Sequence, residues 1–219
     1  CNTTEFDLEE YDYLVNFAAE SHVDNSIKDG KPFVKTNVEG TYNLLELARK
    51  NKNLKKFVQI STDEVYGDLD MLNIEASFEQ NFLYPSSYYS ATKASADLLV
   101  NSVARTYGLN TLITRTCNNF GVSQNKEKFL PTIFNAINND KEIPIYGDGT
   151  QTRSFCYVDD LIDIIFDYVF VPCVTNKTNQ KYVRALPYDG TNTIQCTQFQ
   201  GDTNLKMVII DESVKIIRC

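Results

Sequence analysis

Two short clusters in this chain carry side chains that can move protons. Thr62-Asp63-Glu64 closes an apolar run, and Tyr89 and Lys93 follow, four residues apart. On a helix that spacing puts both on one face. An ammonium beside a phenol favours the phenolate, drawing its pKa down from about 10 and making the oxygen a usable base. Two carboxylates and a hydroxyl opposite that pair could supply an acid, a base and a hydrogen bond to one bound molecule. A solvated acidic turn or a surface Tyr–Lys pair uses the same residues, so the signal lies in their combination.

The elements that must hold these groups are legible from periodicity. Residues 56–61 read as a buried strand ending at the acidic cluster, and 86–107 as a helix closed by Gly108. Upstream, residues 13–19 form an apolar run that fits a buried parallel strand. Ala18, Ala19 and Ser21 at its end would let a flat ligand approach the backbone, or simply make a tight turn. Residues 32–50 predict an amphipathic helix that opens with Pro32 and carries Phe33, Val34, Val38, Tyr42, Leu45 and Ala48 as its apolar positions. Residues 111–116 read as a third strand.

Strand alternating with helix means parallel pairing, so the expected fold class is α/β. It is a partial doubly wound, Rossmann-like parallel sheet with helices on both faces. In such sheets ligands sit beyond the carboxyl ends of the strands. Here those ends carry Ser21, Thr62-Asp63-Glu64 and Asn118-Asn119. Downstream, a helix over 129–139, a strand over 143–147, the turn Gly147-Asp148-Gly149, Arg153 and a helix over 159–170 are expected. From residue 172 the chain turns rich in Asn, Thr, Gln and Lys, with a possible two-stranded hairpin over 205–217. The organisation expected is a unit over 1–171, with substrate-binding parts at about 118–160, and a divergent tail over 172–219.

A formal net charge of −8 argues against a duplex nucleic-acid partner, which calls for a basic face. No apolar run reaches the roughly 18 residues of a membrane span, and no signal-peptide pattern opens the chain. The six cysteines are dispersed without a Cys-x-x-Cys pair, which fits reduced thiols in a cytoplasmic protein. With His22 the single histidine, neither a His-rich metal site nor a two-histidine mechanism is available, and no metal is expected. The first residue is Cys1 rather than Met, and the chain is expected to be part of a longer polypeptide.

Taken in order, several motifs resemble those of the extended short-chain dehydrogenase/reductase family. These are NFAAESHVDNSI at 16–27, TNVEGTYNLLE at 36–46, STDEVYGD at 61–68, YSATK at 89–93, TRTCNNFG at 114–121, EKFLP at 127–131 and IPIYGDGTQTRSFCYVDD at 143–160. Within that family the chain is most similar to the nucleotide-sugar 4,6-dehydratases of the dTDP-glucose type. Thr62-Asp63-Glu64 sets it apart from the family's epimerases and decarboxylases, which keep Tyr-x-x-x-Lys but eliminate no water.

The resemblance implies NAD as cofactor, a nucleotide-activated hexose as substrate, and roles residue by residue. Tyr89, its pKa held down by Lys93 and bound NAD⁺ together, takes the sugar 4-hydroxyl proton, and Thr62 hydrogen-bonds that hydroxyl. Glu64 removes the C5 proton, and Asp63, protonated, gives its proton to the departing 6-hydroxyl. The cofactor would lie near Phe17, Ala18, Ala19, Glu20, Ser21, Thr36, Tyr89, Lys93 and Asn119. The nucleotide sugar would lie near Ser21, Thr62, Asn118, Lys128, Phe129, Pro144, Ile145, Tyr146 and Arg153. Arg153 suits the diphosphate, being a planar fork of donors. The resemblance also implies a homodimer through the helices at 32–50 and 86–107. Two other readings stand beside the dehydratase: an epimerase or decarboxylase of the same family, and a non-catalytic form kept for protein contacts.

The chain departs from the family at both ends. None of its nine glycines forms the Gly-x-x-Gly-x-x-Gly loop that normally holds the cofactor diphosphate on backbone N–H groups. The expectation is an open edge on the first strand and weak NAD affinity for this polypeptide alone. Residues 171–219 match nothing in the family pattern.

Overall fold

The computed structural model describes residues 11–68, 77, 79–143, 145, 148–150 and 152–169, together with the strand at 207–210. The chain divides into two compact units. One extends to Arg115 and takes in the strand at 207–210; the other begins at Thr116.

The first unit is built on a four-stranded sheet in the order β3-β2-β1-β6, where β1 is Tyr13–Asn16, β2 Lys56–Thr62, β3 Thr111–Thr116 and β6 Met207–Ile210. β1 pairs in parallel with β2, with Leu14 opposite Phe57 and Asn16 opposite Gln59. It also pairs in parallel with β6, Tyr13 opposite Met207 and Asn16 opposite Ile210. The expected open edge on β1 is therefore corrected: the ladder to β6 pairs the backbone groups there. Residues 207–210 join that sheet as a parallel strand, and the rest of the predicted hairpin lies outside the described residues.

Between β1 and β2 run α1 (Val23–Lys28), α2 (Lys31–Phe33), a π-helical stretch Val34–Glu39, and α3 (Gly40–Lys50). The predicted 32–50 helix is thus continuous but changes pitch. Its buried row is Phe33, Asn37, Thr41, Leu45 and Ala48, whereas Val34 and Tyr42 are 50% and 53% exposed. Counting apolar residues placed Val34 and Tyr42 on the packed face. The wider π turn rotates the helix and turns two polar side chains inward instead.

A short 3-10 turn, Asp63–Tyr66, ends β2, and α4 (Tyr88–Tyr107) follows. Ser87 caps α4 in a reciprocal box with Ser90, and Gly108 ends it in the left-handed conformation, φ 71°. Leu14 and Phe57 from the sheet pack with Leu44, Leu45 and Ala48 of α3 and Val100 and Val103 of α4 as the apolar core. Two residues along each strand, on the same face, the core turns polar. Asn16 donates to Gln59 at 2.9 Å and to Thr41 at 3.4 Å, and its Oδ1 accepts from the Ala18 amide at 3.1 Å. Buried amides of this kind are tolerated only when paired.

The second unit holds a two-stranded parallel sheet of β4 (Asn118–Phe120) and β5 (Phe155–Tyr157), with α5 (Phe129–Asn138) and α6 (Val158–Val169). Asn118 and Asn119, expected at the carboxyl end of the 111–116 strand, lie in the short strand β4 that follows it. The strand expected over 143–147 falls mainly outside the described residues; Ile143 and Ile145 are exposed and not in a strand.

Candidate active site

Every predicted group of the proton-moving set is in the first unit. Thr62 ends β2 in extended backbone and opens the 3-10 turn, with its side chain accepting from the Glu64 amide at 3.3 Å. Its hydroxyl lies 3.3 Å from Asp63 Oδ1, within donating reach. The turn splits the two acids: Asp63 is exposed and Glu64 half-buried. Across from them, one face of α4 presents Tyr89 and Lys93. Thr62 and both carboxylates are close enough to the Tyr89 phenol to act on its ionisation. The ring of Phe33 meets Tyr89 edge-on, 6.5 Å between centroids.

The electrostatics of the pair correct one expectation. Burial, then the charge of Glu64, pushes the Tyr89 phenol up to about 12, against a smaller opposing effect of Thr62. Lys93 does not deliver the lowering expected of it. It is 4% exposed, and its ammonium donates to the Ile60 carbonyl on β2 at 2.6 Å. Its own burial brings it down to about 8, with Asp97 acting in the opposite direction. Ionising Tyr89 near neutral pH therefore needs positive charge brought closer to the phenol.

The predicted cofactor loop is drawn to the same helix. Phe17, Ala18, Ala19 and Glu20 are half-buried and Ser21 is exposed, directly after β1. Asn37, from the π-helical stretch, exchanges hydrogen bonds with the Glu20 backbone at 2.9 and 3.1 Å and donates to Thr92 at 3.0 Å. One buried amide thus fastens the 17–21 loop to the turn of α4 between Tyr89 and Lys93. Thr36, beside Asn37, is half-buried.

Among the described residues of the second unit, Asn119 donates to Thr116 at 2.9 Å, and its Oδ1 is buried without a partner. Asn118 is exposed. Lys128 stands at the N-cap of α5, and next to it the 61%-exposed Phe129 ring stacks on Phe155, centroids 6.0 Å apart. Ile145 and Arg153 are exposed, and Arg153 donates to the Thr152 carbonyl at 2.8 Å. Pro144 and Tyr146 lie outside the described residues. Cys117 and Cys156 carry thiols rather than a disulfide. Among the described residues no cluster of His, Cys, Asp or Glu is set to hold a metal, and no helix is long and apolar enough to cross a membrane.

Sequence reasoning missed Asn37, Asp97 and Arg115. Asp97 is fully buried on α4, one turn beyond Lys93, and Arg115 Nε donates to it at 2.8 Å. Two signals pointed to them: charged residues inside otherwise packed elements, and a polar run midway along an amphipathic helix.

The nicotinamide end of an NAD site fits the donors present: a buried ammonium with one hydrogen bond made, a phenol, and small side chains at the end of β1. A glycine-rich cradle for the diphosphate is not in this sequence.

The chain is 45% identical over 169 residues to dTDP-glucose 4,6-dehydratase of Haemophilus influenzae, covering 73% of this chain and 50% of the relative. It is 51% identical over 150 residues to the low-salt glycan biosynthesis protein Agl12 of Haloferax volcanii, covering 68% and 47%. It thus spans about half the length of these curated relatives. Among solved structures, it is similar to the dTDP-glucose 4,6-dehydratase DesIV of Streptomyces venezuelae, with NAD and TYD bound. There the TM-score is 0.68 at 41% identity, over 74% of this chain and 49% of the other. It is also similar to UDP-glucuronic acid 4-epimerase of Bacillus cereus, in complex with UDP-glucuronic acid and NAD. That TM-score is 0.72 at 31% identity, over 78% of this chain and 55% of the other. The model of the NAD dependent epimerase/dehydratase family matches residues 2–170, and the chain belongs to that family.

Proposed function

We propose that the chain carries the chemical centre of an NAD-dependent nucleotide-hexose 4,6-dehydratase, acting on dTDP-glucose or UDP-glucose. The observation that carries this reading is the buried Tyr89 phenol set within electrostatic reach of Thr62, Glu64 and Asp63 at the end of β2. The 17–21 loop, Thr36, Tyr89, Lys93 and Asn119 would hold the cofactor, which would supply a hydride acceptor and donor and the positive charge that lowers the Tyr89 phenol.

Thr62 orients the 4-hydroxyl of the sugar, and Tyr89 takes its proton. Oxidation at C4 acidifies the C5 proton, which Glu64 removes from its half-buried position. The exposed Asp63 protonates the leaving 6-hydroxyl. Separate carboxylates on one turn can hold opposite protonation states, which elimination of water requires. Ser21, Thr62, Asn118, Lys128, Phe129, Pro144, Ile145, Tyr146 and Arg153 are assigned to the nucleotide sugar, Arg153 to its diphosphate and Pro144, Ile145 and Tyr146 to its base. Loss of water leaves a 5,6-unsaturated 4-ketone, and addition of the hydride at C6 and of the Glu64 proton at C5 gives the 4-keto-6-deoxy sugar with no net oxidation.

Exposed apolar side chains on the two long helices, Val34, Tyr42, Leu98 and Tyr107, favour the homodimer reading. A cytoplasmic location accords with the expected reduced thiols. The epimerase reading draws on the Bacillus cereus neighbour but leaves Asp63-Glu64 without a task.

The test is to incubate the protein with NAD and either sugar nucleotide, then read the alkaline near-ultraviolet absorbance of a keto-deoxy sugar. Product that disappears in Glu64→Gln supports the dehydratase. An epimer without elimination supports the neighbour, and no turnover with NAD bound supports a non-catalytic role.

A further inference from the structure

The mechanism leaves unused a charged pair of the half-buried Arg115 and the fully buried Asp97. Arg115 sits on β3, its Nε 2.8 Å from Oδ2 of the fully buried Asp97. Its Nη1 donates to the Tyr66 hydroxyl at 2.7 Å and to the Glu79 carbonyl at 3.2 Å, and its guanidinium lies 5.1 Å from the centre of the Tyr66 ring. Asp97 belongs to α4, the helix of Tyr89 and Lys93. Tyr66 belongs to the 3-10 turn of Asp63 and Glu64. One planar cation therefore bridges the two elements that present the acid–base groups.

We infer that Arg115 is a positioning residue that ties the Asp63–Tyr66 turn to α4 and so sets where Glu64 stands relative to Tyr89. A planar fork of donors holds a carboxylate and a phenol in fixed directions from one strand, whereas an ammonium on a flexible stem holds them without a set geometry. Within the same turn the Glu64 amide donates to Thr62, the Gly67 amide to the Glu64 carbonyl at 3.2 Å, and the Tyr84 amide to the Val65 carbonyl at 3.0 Å, and the Arg115 contact adds a tie from β3 to these. The inference rests on the dehydratase reading for its consequence, but the tie itself does not.

The test compares Tyr66→Phe, Arg115→Lys and the unaltered protein, each as the full chain. Tyr66→Phe keeps the ring over the guanidinium and removes only the hydroxyl that Arg115 reaches. Amide hydrogen exchange at Glu64, Val65 and Gly67 should accelerate about tenfold in both variants, with the amides of Val15 and Val58 unmoved. During turnover with NAD and dTDP-glucose, kcat should fall with KM unchanged. Reduced nicotinamide should build up, because C4 oxidation persists while Glu64 is misplaced for elimination. Exchange that is unchanged, or faster everywhere alike, overturns the inference. So does an active wild-type protein whose two variants show no build-up, since a purely structural tie would leave the balance of the two steps alone. If the unaltered protein makes no product, the dehydratase reading fails by itself, and turn-confined exchange still decides the tie.

Discussion

Lys93→Met separates the cost of a buried ammonium from its use. In the folded chain Lys93 titrates at about 8 against an ordinary 10.5, chiefly because burial strips its hydration. The gap, 10.5 less 8, is about 2.5 pH units, and at 1.36 kcal/mol each it amounts to roughly 3 kcal/mol. Below pH 8 the lysine is charged in both states, and the folded state bears that full cost. Between pH 8 and 10.5 the unfolded chain holds a proton that the folded chain has released. Stability therefore rises with pH through this window. Tyr89 opposes it only from about pH 10 upward, because its folded pKa of about 12 lies above its ordinary 10.

Urea unfolding at pH 7, 8.5 and 9.5 should thus show the wild-type protein gaining about 2 kcal/mol, or about 1 M in midpoint at an m-value near 2 kcal/mol/M. Met fills the same channel without charge and should flatten that rise. At pH 7 the variant should be more stable by about 1–2 kcal/mol, the relief of the buried cation less the hydrogen bond lost at the Ile60 carbonyl. Cysteine ionisation is common to both proteins and cancels in the difference. Parallel pH profiles, within about 0.5 kcal/mol, would refute the argument that burial dominates Lys93.

Two further substitutions probe the scaffold of the site. Asn37→Ala removes a buried amide paired to Glu20 and Thr92. It should cost about 1–3 kcal/mol in denaturant unfolding and speed exchange of the Glu20 amide before that of the β1 core. Gly67→Ala places a side chain where φ is +82° and its Cβ would run into the Tyr84 carbonyl oxygen. A loss of more than about 1 kcal/mol is expected, and a neutral Tm would contradict it.

The first unit gives up local stability where it gains chemistry. Its sheet is apolar at Leu14 and Phe57 and becomes polar at Asn16, Gln59 and Thr62, toward the carboxyl ends of the strands. Partners from the helical layer and the neighbouring loop meet two of the buried amides: Thr41 reaches Asn16, and Thr92 and the Glu20 backbone reach Asn37. Sites that hold charged groups ready for reaction commonly lower the stability of the fold that carries them.

Local sequence was enough for the strands at 13–16 and 56–62, the long helix after Ser87, its glycine stop, and the acidic turn, because each has a short-range cause. Apolar runs, a capping box and a left-handed glycine act within a few residues. The pairing of Tyr89 with Lys93 was legible as spacing, but the destination of the ammonium was not. Only the packed structure turned it to the Ile60 carbonyl and left the phenol to burial and Glu64. The inward turn of Asn37, the bridge from Arg115 to both Asp97 and Tyr66, and the pairing of residues 207–210 with β1 were likewise decided in three dimensions. These contacts join residues 18 to about 200 positions apart, and no local periodicity carries the free energy that selects them.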